Sequence, residues 1–272
     1  MQDQSNMAIE PQTSNQPPIL SCSGVERRFG GVVAVSGIDL QIARGEIFGL
    51  VGPNGSGKTT LTNAITGFYP PTKGSISFNG NDITGTAPHR VARLGVARTF
   101  QNLALFSGLS VLENILLGRH IHLKSGVLRT ALYWWIARPE EVANRRVAEE
   151  VIEFLQLESI RHEAVDRIPI GLKKRVELAR ALVAEPDLLI LDEPMAGMNQ
   201  EEKEYMARFI LDARAERQVS VLLIEHHMDV IVGICDRMLA LNYGEMIASG
   251  IPREVIKDQR VVTAYIGDNH AG

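Results

Sequence analysis

Residues Gly52 to Thr59 read G-P-N-G-S-G-K-T, the spacing G-x-x-x-x-G-K-[ST]. The chemistry of this pattern is anion binding. Its glycines let backbone N–H groups wrap a β-phosphate, and a following helix aims its positive end at the same place. Lys58 adds a point charge toward the β- and γ-phosphates, and the Thr59 hydroxyl is a ligand for Mg²⁺. Pro53, Asn54, Gly55, Ser56, Gly57 and Thr60 complete the expected ATP-binding stretch. Far downstream, Asp192 and Glu193 end the apolar run LLIL. A carboxylate at that end of a buried parallel strand faces the ligand crevice of an open α/β sheet. Asp192 is therefore expected to hold Mg²⁺, directly or through water, and Glu193 to act as general base for an attacking water.

His226 follows a second buried run, VLLIE, where an imidazole can donate to a γ-phosphate; His227 beside it competes for that role. Gln101 sits where the α/β rhythm gives way to helices. Its amide can touch Mg²⁺ or the attacking water and report helix movement, although a surface glutamine is the commoner reading. Phe29, upstream of the glycine-rich loop, either stacks on adenine or belongs to the core.

These residues need a parallel sheet to carry them. LLIL (188–191) and VLLI (221–224) are short continuous apolar runs, as strands buried on both faces should be. The amphipathic segment between them has the length of a crossover helix, giving a right-handed βαβ unit. EIFGLVG runs as a strand into the glycine-rich loop, and LTNAITGF continues as helix. Residues 19–29 and 32–42 are dense in β-branched types, and SISFN (75–79) and VARTF (96–100) read as further strands. Ser110, with Glu113 three residues on, predicts a capping box. PEEVANRRVAEEVIEFLQLE predicts a helix with Pro139 in its first turn and Val142, Val147, Val151, Phe154 and Leu155 near one face. The tract 119–137 carries no clear period. RMLALNYGEMIASG predicts a hairpin, followed by a short helix from Pro252.

A chain of 272 residues suits one large α/β domain or a core with an inserted subdomain. A net charge of -4 argues against nucleic acid as the main partner. Two cysteines, Cys22 and Cys235, lack metal-ligand spacing and suit a reducing compartment. Residues 1–18 have no basic segment ahead of an apolar run, so they read as a polar tail and not a signal peptide. No uncharged apolar run reaches the roughly 18–20 residues of a membrane span, so a membrane role has to come through a partner.

In this order, the elements resemble the nucleotide-binding subunits of ABC transporters, over Ile19 to about Asp268. Phe29 matches the adenine-stacking loop, Gly52–Thr59 the Walker A loop and Gln101 the Q-loop. Leu188–Asp192 match Walker B with Glu193 as its catalytic glutamate, and His226 the switch histidine. GVARTFQNLALFSGLSVLENILLGRH, LDEPMAGMN and VVTAYIGDNH are similar to the LivG-type branch of the branched-chain amino acid importers, in which Asn199 in place of the usual aspartate is common. The resemblance implies an α/β P-loop NTPase (RecA-like) core, residues 19–101 and 185–255, with an antiparallel β-subdomain. An inserted α-helical subdomain would span 102–184, and a C-terminal extension 256–272. It implies an ATPase using ATP and Mg²⁺, peripheral on the cytoplasmic face of a bacterial inner membrane. Its partners would be a second ABC ATPase subunit or another copy of itself, two transmembrane permeases, and a periplasmic or extracellular substrate-binding protein. Leu103, Leu105 and Phe106 offer either a landing surface for the permeases or subdomain core. Other motors remain alternatives: importers of urea, short amides or aromatic acids, lipid exporters, and non-transport ABC ATPases.

Two positions depart from the family pattern. The signature, which serves the partner subunit's ATP, aligns with Ile168-Pro169-Ile170-Gly171-Leu172. Pro169 lacks the usual hydroxyl and N–H, and Leu172 lacks an amide side chain. Gly171, the N–H groups of 171 and 172, the helix dipole and Lys173 remain, and a proline at the first helical position should leave the helix intact. An asymmetric heterodimer is the expectation, with hydrolysis at this chain's own site and slow turnover at the partner's. The second departure is His227, where this branch usually has aspartate.

Overall fold

A computed structural model of the chain describes residues 17–99, 104–119 and 133–268. Its strands form two sheets. In the first, β1 (Leu20–Phe29) and β2 (Val32–Ile42) pair antiparallel, and β4 (Lys73–Phe78) and β5 (Asn81–Asp82) extend the order to β2-β1-β4-β5. The second sheet contains β3 (Ile47–Val51), β6 (Val96–Arg98), β7 (Leu188–Asp192), β8 (Ser220–Ile224), β9 (Arg237–Asn242) and β10 (Glu245–Gly250). Its order is β10-β9-β3-β8-β7-β6, parallel throughout except for β10 at one edge.

Every residue of β3, β7 and β8 is buried, which explains why these strands read as unbroken apolar runs. Alternate side chains serve two different cores. Leu189 and Leu191 join Val221 and Leu223 in a cluster with the large helices. Leu188 and Ile190 join Leu222, Ile224, Leu61 and Ile65 in a second cluster against the antiparallel sheet. Register then decides where the chemistry lies. Leu50 pairs with Ile224 and Ile224 with Asp192, so the residues after β3, β7 and β8 leave the sheet at one edge.

Helices cover the remaining surfaces: α1 (Lys58–Ile65), α2 (Pro88–Arg93), α3 (Val111–Leu117), α4 (Tyr133–Phe154), α5 (Ile170–Leu182), α6 (Gln200–Arg217), α7 (Met228–Ile234), α8 (Pro252–Val255) and α9 (Gln259–Asp268). The Ser110 cap forms as its spacing predicts: Glu113 N–H donates to Ser110 Oγ at 3.2 Å and Ser110 N–H to Glu113 Oε2 at 2.7 Å. Helix α4 corrects the sequence reading. It begins at Tyr133, so Pro139 lies inside it and not in its first turn. Its buried stripe is Ala148, Val151 and Ile152, continued by Leu155 just past its end, while Val142 is 64% exposed. Val142 stands nine residues before Val151, about half a turn out of phase at 3.6 residues per turn, and so faces solvent.

The predicted β9–β10 hairpin turns at Tyr243 and Gly244, both with positive φ (47° and 81°), as a tight right-twisting connection requires. This turn is tied to the glycine-rich loop, since Gly244 N–H donates to Ser56 O at 2.9 Å.

Candidate functional site

The loop from Gly52 to Gly57 links β3 to α1 and folds around its own backbone. Gly52 and Gly57 adopt φ of 152° and 104°. A Cβ on Gly52 would stand 2.3 Å from Leu241 O, so no side chain fits there without movement. Helix α1 has no side-chain cap at Gly57, which leaves its first N–H groups to face a ligand. Lys58 Nζ donates to Gly52 O at 2.6 Å and Pro53 O at 2.9 Å, folded over the loop it would share with a phosphate. A cavity of about 270 Å³ lies here, lined by Ala34, residues 54–60, Asp192 and Glu193. Ser56 Oγ is buried with no hydrogen-bond partner among the described residues. Backbone donors, a lysine and an orphaned hydroxyl around one concavity fit a nucleotide polyphosphate.

Thr59 and Asp192 line that same cavity, the hard-oxygen donor set Mg²⁺ takes. Asp192 is already engaged on one side: its Oδ2 accepts from Arg98 Nη2 at 2.8 Å, with both side chains buried. Arg98 in turn donates to Asn63 Oδ1 at 2.6 Å on α1. Arg98 takes one acceptor site of that carboxylate, and among the described residues Oδ1 accepts no hydrogen bond that competes with a cation.

Glu193 leaves β7 with φ 50°, a rare conformation for a residue with a side chain. Its N–H donates to Ile224 O at 2.9 Å, which ties the turn to the neighbouring strand. Its Oε1 lies 2.7 Å from His226 Nε2, so the carboxylate accepts the imidazole hydrogen. A partly exposed carboxylate oriented by a histidine, at the mouth of a phosphate cradle, has the geometry of a general base. Gln101 lies outside the described residues, as does Leu103. Phe29 is 41% exposed, which removes the core reading. Its ring meets Tyr69 edge-on at 5.4 Å and carries the Arg27 guanidinium at 4.7 Å from its centroid.

The signature region departs from expectation in detail. Pro169 is the N-cap of α5 and Ile170 its first residue, one position later than the sequence suggests. The helix survives because a proline preceding it removes no helical hydrogen bond. Leu172 packs against the helical core. Gly171 is buried beneath Glu202: a Cβ there would stand 2.2 Å from Glu202 Oε1. Lys173 Nζ reaches back to Asp166 O at 3.4 Å. Lys174 beside it is buried, 3.5 Å from Glu193 O and 3.7 Å from Glu177 Oε2. Leu105 is partly buried and packs against the helical core, whereas Phe106 is 57% exposed.

Sequence reasoning overlooked Arg98, Lys174, Glu202 and Glu225. Glu225 carried a usable signal, a carboxylate ending a buried run just as Asp192 does. Asn199 and Glu202 also have capping-box spacing, and the box forms at the start of α6. Arg98 and Lys174 had no periodic or motif signal of their own.

Comparison with known proteins agrees with this geometry. The family model described as ABC transporter matches residues 35–196. The chain is 38% identical over 251 residues to the high-affinity branched-chain amino acid transport ATP-binding protein BraF of Pseudomonas aeruginosa, covering 92% of this chain and 98% of that protein. It is 38% identical over 255 residues to the corresponding protein LivG of Escherichia coli (strain K12), covering 92% and 98%. Among solved structures, the ADP conformation of MJ1267, an ATP-binding cassette of an ABC transporter, superposes with a TM-score of 0.81 at 32% identity, covering 93% of this chain and 100% of that one. No helix among the described residues is long and apolar enough to cross a membrane. The phosphate cradle, the carboxylate–histidine pair at the same sheet edge and these likenesses together assign the chain to the ABC transporter family, as one of its ATP-binding, ATP-hydrolysing subunits.

Proposed function

We propose that the chain is the motor subunit of an importer for branched-chain amino acids. The observation that carries the catalytic part is the 2.7 Å contact between Glu193 and His226 at the mouth of the Lys58 cradle. The substrate class rests on the relatives BraF and LivG. Residues Gly52–Thr60 bind the phosphates of ATP, with Lys58 exchanging carbonyl partners for phosphate oxygens and Phe29 offering its exposed ring to adenine. Thr59 and Asp192, with Gln101, would hold Mg²⁺, whose charge offsets that of the phosphates. Glu193 orients a water and takes its proton as the water oxygen attacks the γ-phosphorus; the bond to the ADP oxygen breaks, and ADP leaves. His226 keeps Glu193 aligned and donates to the γ-phosphate once ATP is seated.

The subunit acts on the cytoplasmic face of the membrane as a peripheral partner of two permeases, a second ATPase subunit and an external binding protein. Residues 102–184 form the unit that meets the permeases. An apolar groove of about 540 Å³, lined by residues including Phe68, Pro88, Val91, Phe106 and Leu117, is their docking place. Segment 168–172 faces the partner's ATP, and its substitutions slow that site and not this one. The test is uptake of labelled leucine by cells carrying Lys58→Ala in this gene. Loss of uptake with normal amounts of the protein supports the reading, and undiminished uptake contradicts it.

A further inference from the structure

Glu225 is a carboxylate 1% exposed, one residue before the histidine that meets Glu193. Burying a carboxylate is costly unless its oxygens are bonded, and both are. Oε1 accepts the Met195 N–H at 2.9 Å; Oε2 accepts the His226 N–H at 3.2 Å and lies 3.2 Å from His227 Nδ1. Met195 is two residues beyond Glu193 and fully buried. These contacts close a ring. From Glu193 the chain runs to Met195, whose amide bonds Glu225; Glu225 holds the amide of His226; and the His226 ring returns to Glu193 Oε1.

The ring has a mechanical consequence. Glu193 stands at φ 50°, and such a conformation persists only where its surroundings over-determine it. One restraint is its own amide on Ile224 O. Another is the Glu225 carboxylate, which fixes the loop on the far side of Glu193 and the histidine at once. His227, 43% exposed in its side chain, is the cationic or N–H partner for the second oxygen of Glu225. The unusual histidine after the switch histidine thereby acquires a role.

We infer that Glu225 is a positioning residue for ATP hydrolysis, setting the distance between Glu193 and His226, and that His227 is its partner in that task. This rests on the reading of Glu193 and His226 as the hydrolytic pair. The test uses Glu225→Gln, His227→Asn and the double variant in the assembled transporter, with Glu193→Gln as control. Glu225→Gln should lower kcat about tenfold or more and His227→Asn about threefold, with KM for ATP within about twofold in both. In the Glu225→Gln background, His227→Asn should add nothing, because the partners act as one unit. Amide exchange in the nucleotide-free full-length chain should quicken at Met195 and His226 in Glu225→Gln, while the amides of residues 52–57 stay as in wild type. An unchanged kcat in Glu225→Gln, strictly additive losses, or a kcat loss matched by weaker nucleotide binding overturns the inference. Wild-type turnover in Glu193→Gln overturns instead the hydrolytic reading beneath it.

Discussion

Substituting alanine at Gly57 and, separately, at Gly55 tests how the phosphate cradle is held. Both glycines have positive φ, 104° and 76°, so either alanine carries backbone strain of about 1–3 kcal/mol. Their surroundings differ sharply. A Cβ on Gly55 meets nothing within 4 Å, whereas one on Gly57 stands 2.6 Å from Ala34 O, 3.3 Å from Val35 Cγ2 and 3.4 Å from Gly244 Cα. Ala34 lies in β2 and Gly244 in the β9–β10 turn, and that turn is bonded to β2 and to Ser56 by backbone hydrogen bonds of 2.8 and 2.9 Å. The nearest of these atoms, Ala34 O, is backbone, as is Gly244 Cα, and neither can swing aside, so the overlap adds about 1–3 kcal/mol of overpacking. Gly57→Ala should therefore cost roughly twice what Gly55→Ala costs, from a total stability of about 5–15 kcal/mol. Urea unfolding of the full-length protein reads the stability, and fluorescent ATP titration reads the cradle. Gly57→Ala should unfold at clearly lower urea and bind ATP at least about tenfold more weakly, since about 1.4 kcal/mol of distortion corresponds to tenfold. Equal midpoints and equal affinities for the two variants would refute the claim that β2 and the hairpin turn clamp the loop.

Arg98→Met breaks a buried pair and leaves Asp192 uncompensated, at a cost of about 3–5 kcal/mol in urea unfolding; a loss under 1 kcal/mol would mean that the pair is idle. The Cys22 and Cys235 thiols are each pushed up to about 12, chiefly by burial. Both should resist maleimide at pH 8 in the native protein and react once it is unfolded. A thiol raised in the fold stays neutral while the unfolded chain ionises, so the stability it lends is complete below pH about 9 and is lost as pH rises toward about 12. Pro169→Ser should speed turnover at the partner's site if the altered signature is what slows it; an unchanged rate in the assembled transporter would mean that backbone contacts there suffice.

The parallel sheet was legible because β3, β7 and β8 are buried on both faces, so their apolar runs have no competing reading. The strand ends then pointed to Asp192 and Glu193, while the choice of His226 over His227 leaned on the family resemblance. Helix α4 was harder. Pro139 was the signal the sequence reading used for its start, and it set the boundary too late. Contacts between distant elements left no trace in local spacing. Arg98 pairs with Asp192 across 94 positions of sequence, and Glu202, in the first turn of α6, lies over Gly171 in the first turn of α5. Phe29 had two readings of equal merit until its exposure removed one. Leu172, read in the sequence only as lacking an amide, is partly buried against the helical core.

The central claim is that this chain's own site hydrolyses ATP and governs transport. Glu193→Gln keeps the size and the hydrogen bond of the side chain but removes its basicity. Steady-state ATPase of the assembled transporter carrying this substitution is the direct measurement, beside the equivalent substitution in the partner subunit. The account predicts a fall of about a hundredfold or more for Glu193→Gln, with ATP still bound, and a smaller fall for the partner's change. Turnover near wild type in Glu193→Gln, or a greater loss from the partner's substitution, would contradict it.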